Sequence, residues 1–299
     1  MKQVNRFSIS DIAAITGIKS ATLRIWEQRY NITHAKRTAS NIRYYDDFDL
    51  RVFLNIACLI ESGLKISEIA ELTESERAEK IQSIKATQDQ SAVIVQQLIA
   101  HTLNLNEHQF RLIIQDCIQE FGAEETMLQF IYPFLSRIGI LWQTGLIGPA
   151  QEHFASSLIK QRLIVAIDEL PIPENGEQNN FLLFLPEGEF HEIALLLSQF
   201  IVRSKGFPSL YLGQNLPIPY VQKIAQSYQP KYILTVFTAD FGLEALTEKM
   251  NKMLDSFPNT TVLIAGTAVS AHKPKALARC IPLNEVNDLH HFLAKNLSK

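Results

Sequence analysis

Three groups of residues in this 299-residue chain have types and spacings that could do chemistry. The first is Ala21 to Tyr45, ATLRIWEQRYNITHAKRTASNIRYY. Here Arg24, Arg29, Lys36, Arg37 and Arg43 accompany a single acid, Glu27, with Trp26, Tyr30, Tyr44 and Tyr45 interleaved. Cationic groups set among aromatics are the composition of a surface that faces nucleic acid. The second is LPEGEFHEIALL, Leu185 to Leu196, in which the polar loop Glu187 to His191 separates a strand-like run from a helical one. In doubly wound folds that loop lies at the sheet end where cofactors bind. The third is Trp142, followed ten residues later by Glu152 and His153. Taken singly, His191 reads first as a structural or solvated loop histidine, and the third group equally as a core indole beside a capped helix surface.

The elements that must position these groups are legible from caps and apolar periods. Ser8 with Asp11 is a capping signature, Ile9, Ile12, Ala13 and Ile15 form an apolar face, and Thr16-Gly17 ends the helix. Leu23, Trp26 and Tyr30, at i, i+3 and i+7, seat a second helix on a small core while Thr22, Arg24 and Arg29 project elsewhere. Helix, glycine turn, helix is the helix-turn-helix pattern. Arg37, Asn41, Arg43 and Tyr44 fall in a hairpin-like stretch that would act as a wing. Asp46, Asp47 and Asp49 then open a helix over 48–63, and Ile66, Ile69, Ala70 and Leu72 form a short helix that closes the head.

Composition bounds the rest. A 46% hydrophobic fraction supports two or three domains with real cores, and the net charge of −3 hides a basic head: residues 1–45 carry eight cations and two acids. Cys58, Cys117 and Cys280 are far apart in apolar surroundings, as expected of reduced thiols. The N-terminus has no apolar signal region and no run reaches membrane-spanning length, so a cytoplasmic protein without membrane partners is expected. Residues 75–90 are polar with no long heptad run after them, which assigns self-association to the body. Residues 86–169 divide into about four amphipathic helices, Ser91–Leu103, Glu107–Phe121, Ala123–Leu141 and Pro149–Glu169, a four-helix bundle. Pro171 to Asn180 reads as a linker. Beyond it, strand-like runs at 181–185, 209–213, 232–237, 261–266 and near 278–281 alternate with helical patterns, which suits a flavodoxin-like (Rossmann-like) five-stranded parallel sheet. Asp240 reads as a helix cap. The expected domains are 1–76, 86–170 and 181–299, with 171–180 between the last two: a multidomain chain of α and α/β modules.

SISDIAAITGI, TLRIWEQRY and RTASNIRYYDDFDL, in that order, resemble the winged helix-turn-helix of the MerR family of transcriptional regulators. The E-x-H-x-x-A loop and W-QTGLIGPAQ-EH resemble motifs of the cobalamin-binding module in light-sensing, B12-dependent MerR-type repressors. The resemblance implies that His191 is the lower axial cobalt ligand, with Glu189 or Glu192 accepting its other ring proton. It places Trp142 over the adenosyl group with Glu152 and His153 beside it. It further implies that Thr235 and Gly266 stand at the positions lining the slot for the nucleotide tail. Neutral imidazole suits cobalt, and a carboxylate partner fixes its tautomer. The chain departs from the pattern at Ala194 and Thr267, where glycine is expected, and at Phe237, which is bulky. Gln143 replaces the histidine that follows the tryptophan in light-sensing relatives.

The reading is therefore a DNA-binding regulator, not an enzyme, that binds double-stranded operator DNA. Thr22, Arg24, Arg29, Arg37, Asn41, Arg43 and Tyr44 form its DNA surface. The cobalamin-type half, taking adenosylcobalamin, controls homo-oligomerisation (dimer or tetramer) and operator binding. Two alternatives accompany it: a degenerate B12 domain that serves oligomerisation or another ligand, and a corrinoid carrier for methyl transfer.

Overall fold

The computed structural model describes residues 6–38, 41–84, 90–143, 145–173, 180–239 and 242–297. They fall into two compact units, Met1–Ser156 and Ser157–Lys299. Asp240 and the linker residues 174–179 lie outside the described residues. No helix among those described is long and apolar enough to cross a membrane.

The first unit begins with α1 (Ile9–Thr16) and α2 (Ser20–Tyr30). Ser8 Oγ accepts from the Asp11 amide at 3.2 Å and the Asp11 carboxylate accepts from the Ser8 amide at 2.6 Å, so two end donors of α1 are satisfied reciprocally. The helix stops at Gly17. Leu23 and Trp26 are buried and Tyr30 half-buried, which seats α2 as its apolar period requires. The wing is an antiparallel pair, β1 (Lys36–Arg37) and β2 (Arg43–Tyr44). An isolated bridge from Phe7 to Tyr45 ties its base to the start of the chain. Then come α3 (Asp47–Glu61), α4 (Ile66–Glu71), α5 (Glu74–Ile84), α6 (Gln90–Leu103), α7 (Glu107–Thr126), α8 (Tyr132–Gln143) and the first part of α9 (Pro149–Asp168). Gly122 breaks α7 with φ 79° and ψ 165°, at the point where the sequence divides two helices. The helix expected over Ala123–Leu141 is not uniform, because Met127–Ile131 runs as a π-helical stretch before α8.

The second unit holds the rest of α9, then β3 (Phe181–Pro186), α10 (Glu192–Ser204), β4 (Ser209–Leu216), α11 (Ile218–Tyr228), β5 (Tyr232–Val236) and α12 (Gly242–Ser256). It ends with β6 (Thr261–Ala265), α13 (Thr267–His272), β7 (Cys280–Pro282) and α14 (Val286–Leu297). The strand order is β4-β3-β5-β6-β7 and every pairing is parallel. Every residue of β3 and β5 is buried, as expected of strands covered by helices on both faces. The order reverses between β3 and β5, which sets the switch point of the sheet beyond their carboxyl ends. The short helix α13 was not anticipated from the sequence.

Candidate functional site

In the head, α2 and the wing present the expected cationic residues. Arg24, Arg29, Arg37, Asn41 and Arg43 are exposed, with Thr22 and Tyr44 half-buried. The wing is braced internally: Arg37 Nη1 donates to Asn41 Oδ1 at 2.7 Å and to the Asn41 carbonyl at 3.3 Å. The Arg6 guanidinium lies 5.0 Å from the Tyr44 ring centre, and that of Arg29 lies 5.5 Å from the Tyr30 ring centre.

Two residues of the basic segment do other work. Lys36 is paired with Asp46 and with Asp49, the latter at 3.0 Å, so its charge is spent within the head. Asp49 is buried and also accepts from Thr33 Oγ1 at 2.5 Å. This carboxylate therefore anchors the wing to the start of α3 as well as favouring the helix N-terminus. Tyr45 is not a surface aromatic: it is 1% exposed and packs edge-on against Phe53. Burial first, and then its hydrogen bond to Glu27, push the Tyr45 hydroxyl well above the usual phenol range. Glu27 also accepts from the Ala35 amide at 3.2 Å. The lone acid of the basic stretch is thus the post that fixes the wing to α2.

In the second unit, the loop after β3 forms a connected polar network at the switch point. Glu189 is buried, and its Oε1 accepts from the amides of Phe190 and His191, both at 3.1 Å, and pairs with His191 Nδ1. Its Oε2 accepts from the Thr238 amide, just past β5, at 2.9 Å. Burial alone would raise this carboxyl, but the bonds from the His191 ring and the Thr238 and His191 amides prevail and hold it at about 2. An ionised carboxylate only accepts, so Nδ1 carries a proton, and in a neutral ring the lone pair would fall on Nε2. The imidazole itself is well exposed, at 59%.

The choice between Glu189 and Glu192 falls to Glu189. Glu192 is engaged elsewhere, accepting from Tyr211 Oη at 3.1 Å with Lys160 Nζ at 3.6 Å. The network continues to the neighbouring strands: the Gly188 amide donates to Asn215 Oδ1 at 2.9 Å, and Thr267 Oγ1 donates to the Thr238 carbonyl at 2.7 Å. The sequence reading missed Asn215 and Thr238, whose relevance arises only from the meeting of strand ends.

The remaining sheet-end residues divide. Thr235 is fully buried, and its hydroxyl has no hydrogen-bond partner among the described residues. Gly266 has φ 108°, and a Cβ there would meet the Phe237 carbonyl oxygen at 2.4 Å. That glycine is demanded by the close approach of the β5 and β6 turns. Phe237, expected to crowd a ligand slot, is instead part of the core beside Leu246 and Met250. Ala194 is half-buried, and its carbonyl accepts from Ser198 Oγ at 2.9 Å. Among the described residues no group of three or more His, Cys, Asp or Glu could hold a bare metal ion. A lone imidazole with a carboxylate behind it suits a metal that arrives with its other ligands in place.

In the first unit, Trp142 is 56% exposed near the end of α8. Glu152 lies in the first turn of α9 and His153 follows it, with His153 Nδ1 3.2 Å from the Glu152 carboxylate and the imidazole open to solvent. The Gln143 side chain lies outside the described residues.

Residues 7–76 match the family described as MerR HTH family regulatory protein, and residues 94–166 match the B12 binding domain. The chain is 24% identical over 275 residues to the HTH-type transcriptional repressor CarH of Myxococcus xanthus, covering 89% of this chain and 91% of that protein. It is 26% identical over 266 residues to the repressor CarA of the same organism, covering 88% of each. A Methanosarcina barkeri monomethylamine corrinoid protein is similar in fold, with a TM-score of 0.50, 14% identity and coverage of 68% of this chain and 98% of that one.

Proposed function

The chain joins a MerR helix-turn-helix domain to a B12 binding domain and is homologous to the CarH and CarA repressors, and from this we propose a DNA-binding transcriptional regulator whose second half senses a cobalamin. The observation that carries the sensor half is the Glu189–His191 pair at the β3–β5 switch point. A buried carboxylate pairs with Nδ1, which makes Nε2 the nitrogen that could serve a metal when the ring is neutral. His191 would hold the cobalt and Glu189 would position its ring. A bound alkylcobalamin would supply a labile alkyl–cobalt bond. The chain would supply orientation, tautomer and exclusion of water.

The sheet-end turns at Thr235 and Gly266 are the proposed cradle. Trp142, Glu152 and His153, all accessible to some degree, are the proposed cover for the upper corrin face. Adenosylcobalamin is the proposed form. Arg24, Arg29, Arg37 and Arg43, with Thr22, Asn41 and Tyr44, form the proposed operator-binding surface. There the wing and α2 meet phosphates, and α2 faces base edges in the major groove. Cobalamin occupancy would shift the oligomeric state, dimer or tetramer, and with it the affinity for a two-site operator.

The test is a visible-absorption scan of the full chain after incubation with adenosylcobalamin and gel filtration. The proposal expects protein-bound corrinoid colour in the parent and its loss, or an axial-ligand shift, in His191→Ala. Colourless protein would leave the degenerate domain as the reading. That alternative has one observation in its favour, since the chain's own backbone occupies the space beside Gly266. Operator binding is tested by gel retardation with the gene's upstream region. A corrinoid carrier for methyl transfer would give the basic head no role.

A further inference from the structure

The cations around the wing are not equivalent. Lys36 is spent on Asp46 and Asp49, and Arg37 is braced on Asn41. Arg6 lies outside the basic stretch of the sequence, is exposed, and among the described residues is in no ion pair. The wing itself fixes its place. The Phe7 amide donates to the Tyr45 carbonyl and the Tyr45 amide to the Phe7 carbonyl, both at 2.8 Å, an antiparallel bridge that lays the start of the chain beside the end of β2. Phe7 and Tyr45 are both buried, so the alternation of an extended chain turns Arg6 and Tyr44 to the opposite, outward face. There the Arg6 guanidinium lies over the Tyr44 ring, 5.0 Å from its centre. A guanidinium seated on an aromatic face keeps its N–H edge free for an anion, and has less rotamer freedom left to lose on meeting one. Exposed Arg37 and Arg43 make the same hairpin cationic, which fits a polyanion.

We propose that Arg6 is a further DNA-binding residue, a phosphate clamp seated on Tyr44 that fastens the base of the wing to the backbone of a duplex. The proposal rests on the operator-binding reading of the head and adds to it a contact that positions the protein without reading sequence. Tyr44 is the platform: its ring holds the guanidinium in place, and the guanidinium meets the phosphate.

The test is fluorescence anisotropy of two labelled duplexes, one from the gene's upstream region and one of random sequence, titrated with the full chain across a salt series. Arg6→Ala should weaken binding to both duplexes by the same factor and lower the slope of log K against log salt by about 1 for each head bound. Between about 50 and 200 mM salt its affinity should therefore fall about 3- to 4-fold less, per head, than that of the parent. Arg6→Lys keeps the charge and should keep the slope. Tyr44→Leu removes the platform, and the loss caused by Arg6→Ala should be smaller in that background than in the parent. Both Arg6 variants should unfold near the parent's temperature, because the residue is exposed. An Arg6→Ala protein that keeps affinity and slope, that weakens on one duplex alone, or that loses affinity together with thermal stability would overturn the clamp. An Arg6→Ala loss of the same size with and without the Tyr44 ring would overturn the platform. A parent that binds neither duplex would overturn the operator-binding reading itself, and the clamp with it.

Discussion

Replacing Glu189 with glutamine tests the centre of the sensor reading. The carboxylate accepts from three backbone amides and the His191 ring, with the Thr238 amide alone on Oε2. A glutamine must place its NH2 at one of the two oxygen positions. If its carbonyl keeps the Oε1 position, the Thr238 N–H faces a donor and is left unpaired, at a cost of about 1–3 kcal/mol. The bonds that survive lose their charge assistance, roughly half of their strength. Removal of a buried charge returns part of this, so a net loss of about 2–4 kcal/mol is expected. For a protein of this size that is on the order of 3–6 °C in unfolding temperature. His191→Ala should cost under ~1 kcal/mol, because its ring is 59% exposed. The two variants should therefore separate by assay: Glu189→Gln lowers thermal stability and weakens cobalamin binding about 10–100-fold. His191→Ala leaves the unfolding temperature near that of the parent and removes the axial-ligand signature from the visible spectrum. A Glu189→Gln protein as stable as the parent would refute the inference that this carboxylate organises the switch point.

Three further outcomes follow from the geometry. Gly266→Ala puts a methyl 2.4 Å from the Phe237 carbonyl at a φ of 108°, and urea unfolding should show a loss of roughly 3 kcal/mol, against about 1 for Thr267→Ala, which removes one hydrogen bond. Matching losses in the two variants would contradict the close-approach argument. Asp46 is held below the ordinary carboxylate range, chiefly by its hydrogen bond from Lys36. Its contribution to stability is present above the unfolded value of about 4 and disappears as pH falls through the lower folded value. Lys36→Met should flatten the acid limb of the stability profile, by less than ~1 kcal/mol because Lys36 is 42% exposed; an unchanged limb would count against the pairing. Arg24→Ala and Arg43→Ala should each weaken operator binding and reduce the slope of log K against log salt by about 1, measured by gel retardation across a salt series. A variant that keeps both affinity and slope would remove that arginine from the proposed surface.

The amino-acid sequence alone determined whatever depends on neighbours a few residues apart. The Ser8–Asp11 cap, the glycine stops, the seating of Leu23 and Trp26, and the alternation of apolar strands with amphipathic helices are all short-range. From the last of these the parallel sheet was legible. Tertiary structure decided which partners those elements meet. Glu189 and Glu192 both lie within two residues of His191 in the sequence, but Glu189 is the one that reaches the Thr238 amide, brought over by the turn after β5. Lys36 belongs to the basic stretch by composition, yet folding places Asp46 and Asp49 against it, and Tyr45 turns inward to Glu27 and Phe53. Phe237 could crowd a slot or fill a core, and the packing of α12 chose the core. Caps and periods act along the backbone within one or two turns, whereas a buried carboxylate or ring takes its role from whichever distant groups the folded chain sets within hydrogen-bonding or van der Waals reach.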